Sequence, residues 1–327
     1  MTKFTANHCE LCQAPGELAT IETHSDRGQI YCLHHCLVCG GQFWEPFRNP
    51  GAEWYERDER YSSINADPYT QVNWHQKFVL DWVENKIGPK RLFDIGCGSG
   101  NFLAYAKRRG WRVAGIDFDS NAVRAAREVF GLDRVEQTDL INYLNAHPEV
   151  EFELATFFDV FEHIDNHREF LAAVKKLVVK DGYIAMSMPH RRGARWLMPY
   201  DLPPRHLTRW DEAALDGILR RNGFTPVYLK AQIASLNYVV LKLRFKYGRW
   251  FSFNLVNRVK KSNLTLNVKH STSGHRVSTT KIKLITVLAK IKDWLIFGLP
   301  ALVIWLWFLL TNRLAIGLVA IAQRHDD

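Results

Sequence analysis

From residue 91 onward, short apolar runs alternate with stretches in which apolar residues recur every three to four positions. A short apolar run bounded by turn residues reads as a strand buried on both faces, and the 3.6-residue period reads as an amphipathic helix. On that basis strands are predicted over 91–95, 112–117, 134–138, 152–158, 182–188 and 224–231, and helices over 101–110, 120–130, 166–179 and 211–222. Upstream, 73–87 carries Trp74, Phe78, Val79, Trp82 and Val83 on one stripe, and Gly88-Pro89 stops it. Alternating strands and helices predict an α/β fold, a doubly wound, Rossmann-like parallel sheet covered on both faces. Residues 40–72, rich in aromatic residues, Gly and Pro, read as a linker packed on that body.

In such sheets ligands bind beyond the carboxyl ends of the strands, so the residues just after each strand carry the information. After the first comes Asp94-Ile95-Gly96-Cys97-Gly98-Ser99-Gly100, three glycines at alternate positions followed by a helical pattern. Glycine lets the backbone turn tightly and approach a ligand with no Cβ in the way. After the second strand comes Asp117, an acid able to accept hydrogen bonds from both hydroxyls of a ribose; helix capping is the other reading, for which Asp119 or Ser120 is better placed. After the third comes Asp139, and after the fourth Phe158-Asp159-Val160-Phe161-Glu162-His163.

The Asp94-x-Gly96-x-Gly98-x-Gly100 pattern resembles motif I of the class I S-adenosylmethionine (SAM)-dependent methyltransferases. It differs from the G-x-G-x-x-G spacing that seats a pyrophosphate. The resemblance implies SAM as cofactor, with Asp94 suited to its cationic amino-acid end, Asp117 on the ribose, Asp139 at the adenine amino group and Phe158 beside the donor. It also places Glu162 and His163 where the transferred methyl group meets its acceptor. Their Glu-His pair resembles the ubiquinone-biosynthesis O-methyltransferases, with Phe161 where that segment usually has leucine. The motifs of adenine amino-group and pyrimidine C5 methylation, Asn-Pro-Pro-Tyr and Pro-Cys, are absent here. Methyl transfer from a sulfonium requires an oriented acceptor and, often, removal of its proton. Histidine titrates in the right range for that. His163 is the first candidate base, although a histidine at a helix start also serves as a loop brace. Glu162 and His163 together could also hold a divalent metal.

Beyond the fifth strand, Met188 to Trp210 lacks periodicity, and a long loop at the ligand end of a sheet is commonly functional. Its Pro203-Pro204-Arg205-His206-Leu207 resembles a segment of zinc-ribbon-containing methyltransferases of bacterial glycan and small-molecule pathways, with Arg205 in place of a histidine. His206 is the second candidate base. Arg191, Arg192, Arg195, Arg205 and Arg209 would suit an anionic acceptor or serve as solvated surface charge.

Five of the six cysteines lie within 9–39, and Cys9-x-x-Cys12 and Cys36-x-x-Cys39 are spaced as two knuckles for one tetrahedral S4 zinc site. No apolar leader of the secretory type opens the sequence, so metal binding is expected over disulfides. Four cysteines leave no open coordination position, so the zinc is expected to be structural. Cys32, His8, His34 and His35 are alternative ligands, better read as ordinary strand and loop residues.

Charge adds a last feature. Of a net +9, 13 Lys and Arg fall in 237–292 with no acid among them, leaving 30 basic and 34 acidic residues elsewhere. The 17 uncharged, largely apolar positions of 294–310 follow directly; as a helix they measure about 25 Å, at the short edge of a membrane span. A basic segment beside an apolar helix is what an anionic membrane face attracts. Three readings compete: a helical hairpin over 282–310 dipping into one leaflet, which is favoured; a span; and a soluble helical subdomain. In the first, 314–322 returns as the last, antiparallel strand of the sheet.

The expected organisation is therefore a zinc-ribbon-like module over 1–45, linker and leading helix over 46–90 and a methyltransferase core over 91–236. A basic and apolar membrane-associating segment over 237–313 and the last strand over 314–327 complete it. The expected activity is methyl transfer, most often to oxygen, on a small-molecule, lipid-linked or glycan acceptor at the cytoplasmic membrane face. An RNA methyltransferase gripping nucleic acid with ribbon and basic segment is an alternative, disfavoured because RNA binding needs no 17-residue apolar run. A membrane-bound scaffold that has kept the fold without catalysis is another.

Overall fold

A computed structural model describes residues 8–15, 18–57, 67, 71–192, 202–247, 279–311 and 313–325, with main chain only over 279–293. Of the sequence expectations, Arg195 and the basic residues between 248 and 278 lie outside the described residues.

Contacts divide the chain into two units, residues 1–232 with 315–327, and residues 233–314. The first opens with β1 (Leu18–Asp26), β2 (Gln29–Cys36) and β3 (Gln42–Glu45), then α1 (Ala52–Arg57) and α2 (Trp74–Ile87). The core follows as β4 (Arg91–Ile95), α3 (Asn101–Arg108), β5 (Arg112–Asp117), α4 (Ser120–Phe130), β6 (Val135–Gln137), α5 (Leu140–Ala146) and β7 (Phe152–Phe158). A 3-10 turn over Phe161–His163 leads to α6 (His167–Leu177), β8 (Val178–Pro189), β9 (Thr208–Arg209), α7 (Glu212–Arg221) and β10 (Phe224–Ile233). The second unit holds α8 (Leu236–Tyr247) and α9 (Thr279–Leu310), after which β11 (Ala315–Arg324) rejoins the first.

Seven strands form the main sheet in the order β10-β11-β8-β7-β4-β5-β6. β4 pairs in parallel with β5 on one side and β7 on the other, and β5–β6 and β7–β8 are also parallel. β11 is antiparallel to β8, with Gly317 opposite Pro189 and Gln323 opposite Tyr183. The predicted return of 314–322 to the sheet is thus met. The chain changes direction across the sheet between β4 and β7, the switch point beyond whose strand ends such sheets bind ligands. Phe93, Leu92, Leu154, Ala155, Phe157 and Ile184 are fully buried along these strands, which is why they read as continuous apolar runs.

A second, four-stranded sheet runs β1-β2-β3-β9. Its last strand comes from residues some 160 positions downstream of β3: Gln42 lies opposite Arg209 and Phe43 opposite Thr208. Trp44, Leu33 and Tyr31 form its own buried cluster.

In the second unit α8 and α9 pack against each other. α9 runs unbroken through Pro300. The hairpin expected within 282–310 is not formed; one proline removes a single N–H from the ladder and bends a helix that the residues around it continue. Leu295, Leu299, Val303 and Leu310 are exposed, whereas Phe297, Ala301 and Phe308 are buried. Among the described residues no helix is long and apolar enough to cross a membrane.

Candidate active site

The loop after β4 is built by its glycines. Gly96, Gly98 and Gly100 all have positive φ (+73°, +53° and +79°), which a residue with a Cβ adopts only under strain. Space forbids a side chain as well: a Cβ on Gly96 would lie 2.6 Å from Val160 Cγ2, and one on Gly100 2.6 Å from Leu132 Cδ1. Two amides of the loop, Gly96 N–H and Cys97 N–H, donate to the Ile116 carbonyl at 2.8 and 3.0 Å. Asp117 completes the brace, accepting from Gly98 N–H at 2.8 Å and from Asp119 N–H at 2.9 Å. Asp119 itself caps α4, as the sequence suggested it would.

Asp94 is nearly inaccessible and accepts a 2.6 Å hydrogen bond from Thr156 Oγ1. Burial pushes its carboxyl up to about 7, against the partial relief of the Thr156 hydroxyl. Asp139, by contrast, caps α5 with both oxygens, one accepting from Asn142 N–H at 2.8 Å and the other from Asn142 Nδ2 at 2.6 Å. Phe158 closes β7 and meets Phe102 edge-on at 5.1 Å and His75 at 5.8 Å between ring centres.

Beyond β7 the 3-10 turn brings Glu162 and His163 together with His206, whose chain position is 43 residues later. The two imidazoles meet edge-to-face at 4.6 Å, and His206 Nε2 lies 3.9 Å from Glu162 Oε1. His163 Nδ1 is 2.7 Å from the Arg205 carbonyl oxygen. A carbonyl only accepts, so Nδ1 carries the proton and the lone pair of the neutral ring sits on Nε2. Burial pushes His163 down to about 4 and His206 well below the ordinary histidine range, so both are neutral imidazoles near pH 7.

Backbone bonds lock the two halves: Leu207 N–H donates to the Glu162 carbonyl at 2.8 Å, and Trp44 N–H donates to the Leu207 carbonyl at 2.8 Å. The linker adds Asn49, whose Nδ2 donates to the His163 carbonyl at 2.7 Å, and buried Tyr55, whose hydroxyl lies 3.1 Å from His163 Nδ1. Two of the five arginines expected at an anionic acceptor are engaged elsewhere. Arg191 pairs with Asp211 and donates to the Gly40 carbonyl, and Arg209 pairs with Glu22 at 2.7 Å and covers Trp44. Arg205 stays beside the site, over Trp54.

The four cysteines form one cluster, with Cys9–Cys39 and Cys12–Cys36 sulfurs each 3.8 Å apart. Sulfurs held at about 2.3 Å from one tetrahedral ion are separated by very nearly that distance, whereas a disulfide would bring them to about 2 Å. Leu11 N–H and Cys39 N–H point at Cys9 and Cys36 sulfurs at 3.4 Å, the backbone donors of a knuckle. The donor set therefore fits zinc. His34 is occupied between Thr20 and Glu45 and is not a fifth candidate.

A family profile described as a methyltransferase domain matches residues 72–229. These residues are a class I SAM-dependent methyltransferase domain. Around it, the ubiquinone biosynthesis O-methyltransferase of Aeromonas salmonicida is 26% identical over 232 residues, 62% of this chain and 87% of that protein. The enzyme of the same description from Thiobacillus denitrificans is 28% identical over 45% of this chain and 65% of its own length, so the chain spans just under two thirds of that relative. Among solved structures, a SAM-dependent methyltransferase from Archaeoglobus fulgidus overlaps 76% of this chain and 94% of its own, at 20% identity and a TM-score of 0.44.

Within the methyltransferase domain the described residues fit SAM: a loop of positive-φ glycines at the sheet's crossover, a buried acid beside it and a second acid tied to it. Sequence reasoning did not single out Asn49, Tyr55, His75, Asp159 or Ser187 as site residues. Asn49 and Tyr55 sit in a stretch whose aromatic content reads only as packing. Asp159 lay in view, but its positive φ of +55° has no sequence signal.

Proposed function

We propose that the domain transfers a methyl group from SAM to a hydroxyl oxygen of a small-molecule, lipid-linked or glycan acceptor bound between the 159–163 turn and the 203–208 loop. SAM, once bound, supplies an electrophilic methyl and its own leaving group. The residues of this chain must then orient the acceptor and take its proton.

The observation that carries this reading is the fixed tautomer of His163. Its Nδ1 proton is committed to the Arg205 carbonyl, so Nε2 is a proton acceptor at neutral pH. His206 stands against it as the second basic imidazole, and Glu162 can stabilise the imidazolium that forms on either ring. Asp94 is assigned to the SAM ammonium, Asp117 to the ribose and Asp139 to the adenine edge, reached from its cap position. The O-methyltransferase descriptions of the curated relatives support oxygen as acceptor atom. The cysteine cluster is assigned a structural zinc. The exposed apolar positions of α9 support attachment at a membrane face, which suits a lipid-linked acceptor.

The test is incorporation of label from methyl-tritiated SAM into a solvent extract of the cells from which the chain comes. H163Q and H206Q are measured beside the wild type. The base variant should lose about 100-fold or more in rate with SAM affinity kept. Equal rates in wild type and both variants would overturn the assignment of a histidine base.

A further inference from the structure

The steps above use the main chain of Arg205 and leave its side chain without a task. Its carbonyl accepts from His163 Nδ1–H at 2.7 Å, with the Tyr55 hydroxyl 3.4 Å away. Its N–H donates to the Leu202 carbonyl at 3.2 Å, a turn through Pro203 and Pro204 that fixes where residue 205 sits. His206, the second imidazole, follows it in the chain.

The guanidinium lies over Trp54, 5.4 Å from its ring centre, and both residues are half-buried. Trp54 is itself placed by α1, where it meets the ring of buried Tyr55 edge-on at 5.1 Å. A guanidinium held through its face by an aromatic ring keeps its edge, a fork of N–H donors, for an anion. Burial keeps both imidazoles neutral, and the Arg205 charge acts on each of them in the same direction. A permanent cation therefore stands beside two neutral rings. Arg191 and Arg209 differ: each pairs with a carboxylate, Asp211 and Glu22, outside the imidazole cluster. The segment that 203–207 resembles has histidine at this position, a group that can shed its charge; arginine cannot.

We propose that the acceptor carries an anionic group, a carboxylate or a phosphate, close to the hydroxyl to be methylated, and that the Arg205 side chain binds it with Trp54 behind. The proposal rests on the methyl-transfer reading and names the class of acceptor within it. One residue then serves the site twice. Its carbonyl fixes the tautomer of His163, and its side chain brings the acceptor hydroxyl to that ring. Any residue at 205 keeps the carbonyl, so a substitution there tests the side chain alone.

The experiment uses the full chain, methyl-tritiated SAM and a dilution series of the same cell extract, with SAM affinity by calorimetry and the melting temperature of each variant. The labelled product is passed over a quaternary-ammonium resin at about pH 8, where it should be retained and elute with salt, because both anions are ionised there. Loss of retention after carbodiimide coupling to ethanolamine identifies a carboxylate, and loss after phosphodiesterase and phosphatase identifies a phosphate; either supports the proposal. R205Q should melt with the wild type and bind SAM within about twofold. It should raise the extract concentration giving half-maximal rate by about tenfold, with a smaller change in the maximum. R205K, which keeps the charge and loses the fork, should fall between the two. Raising salt from about 50 to about 300 mM should raise the half-maximal concentration several-fold for wild type and hardly at all for R205Q. A labelled product that passes the resin unretained, or an R205Q half-maximal concentration within about twofold of wild type, would overturn the proposal. A wild-type chain that labels nothing in the extract would overturn the methyl-transfer reading itself, and it is recognised without any variant.

Discussion

Asp94 illustrates how burial sets chemistry at the scale of one residue. A carboxyl with an ordinary value of 3.8 is pushed up to about 7 because the sheet leaves it almost no water. The native state therefore holds this proton more tightly than the unfolded chain does. The stabilisation from the protonated form is complete below about pH 4 and is lost as pH rises toward 7, beyond which the residue contributes no further pH dependence. A ligand ammonium has the opposite preference, since it needs the carboxylate. SAM affinity should weaken as pH falls below 7, approaching about tenfold per unit, and level off above it. Calorimetric titrations between pH 5.5 and 8 check this. D94N should bind weakly at every pH with a flat profile and melt no lower than wild type at pH 8. His163, pushed down to about 4, stays neutral across that window and adds no slope of its own.

At the scale of elements, the four-stranded sheet is what couples the cysteine cluster to the active site. β3 begins three residues after Cys39, β9 pairs with it, and the intervening Leu207 is the residue that bonds both Trp44 and Glu162. The loop carrying Arg205 and His206 thus leads straight into the last strand of the four-stranded sheet. Replacing Cys36 and Cys39 with serine should remove about one equivalent of zinc per chain and cut methyl transfer by about tenfold or more. SAM affinity should change little, because the glycine loop and Asp117 belong to the other sheet. Metal analysis, calorimetry and label incorporation separate these effects; a SAM affinity that fell with the zinc would contradict the division. This coupling was not legible in the sequence. The strands β4, β5 and β7 were, to the residue, because strands buried on both faces are apolar runs with sharp ends. The donor loop was legible because glycine spacing is a local signal. β9 is two residues long and α5 seven, too short for a period to appear, and β9 gains its identity only from a partner far away in the chain. His163 and His206 were each visible, but their edge-to-face contact depended on that pairing.

At the scale of the whole molecule, the chain leaves the main sheet after β10 and returns to it as β11, placed between β10 and β8 with seven of its ten residues buried. Everything between is one excursion whose ends meet: Ala234 N–H donates to the Leu314 carbonyl at 2.8 Å. An insertion with touching ends can be removed and the gap closed by a short flexible link at small cost in loop entropy. A simple truncation after residue 232 is a different matter, since it strips β8 of its antiparallel neighbour and takes the buried Leu318, Val319, Ala320 and Ile321 out of the core. Two shortened chains therefore separate the roles. With 235–313 replaced by a few Gly and Ser residues, the protein should fold and bind SAM within about twofold of wild type. The chain ending at 232 should aggregate or bind none. Flotation with vesicles of phosphatidylglycerol and phosphatidylcholine completes the test. The full chain should rise with the vesicles, the excised chain should not, and L295D with L299D in the full chain should reproduce the excised behaviour, because those two side chains are 81% and 76% exposed on α9. Equal flotation of the full and excised chains would move the membrane contact to the catalytic unit and leave α9 without that role.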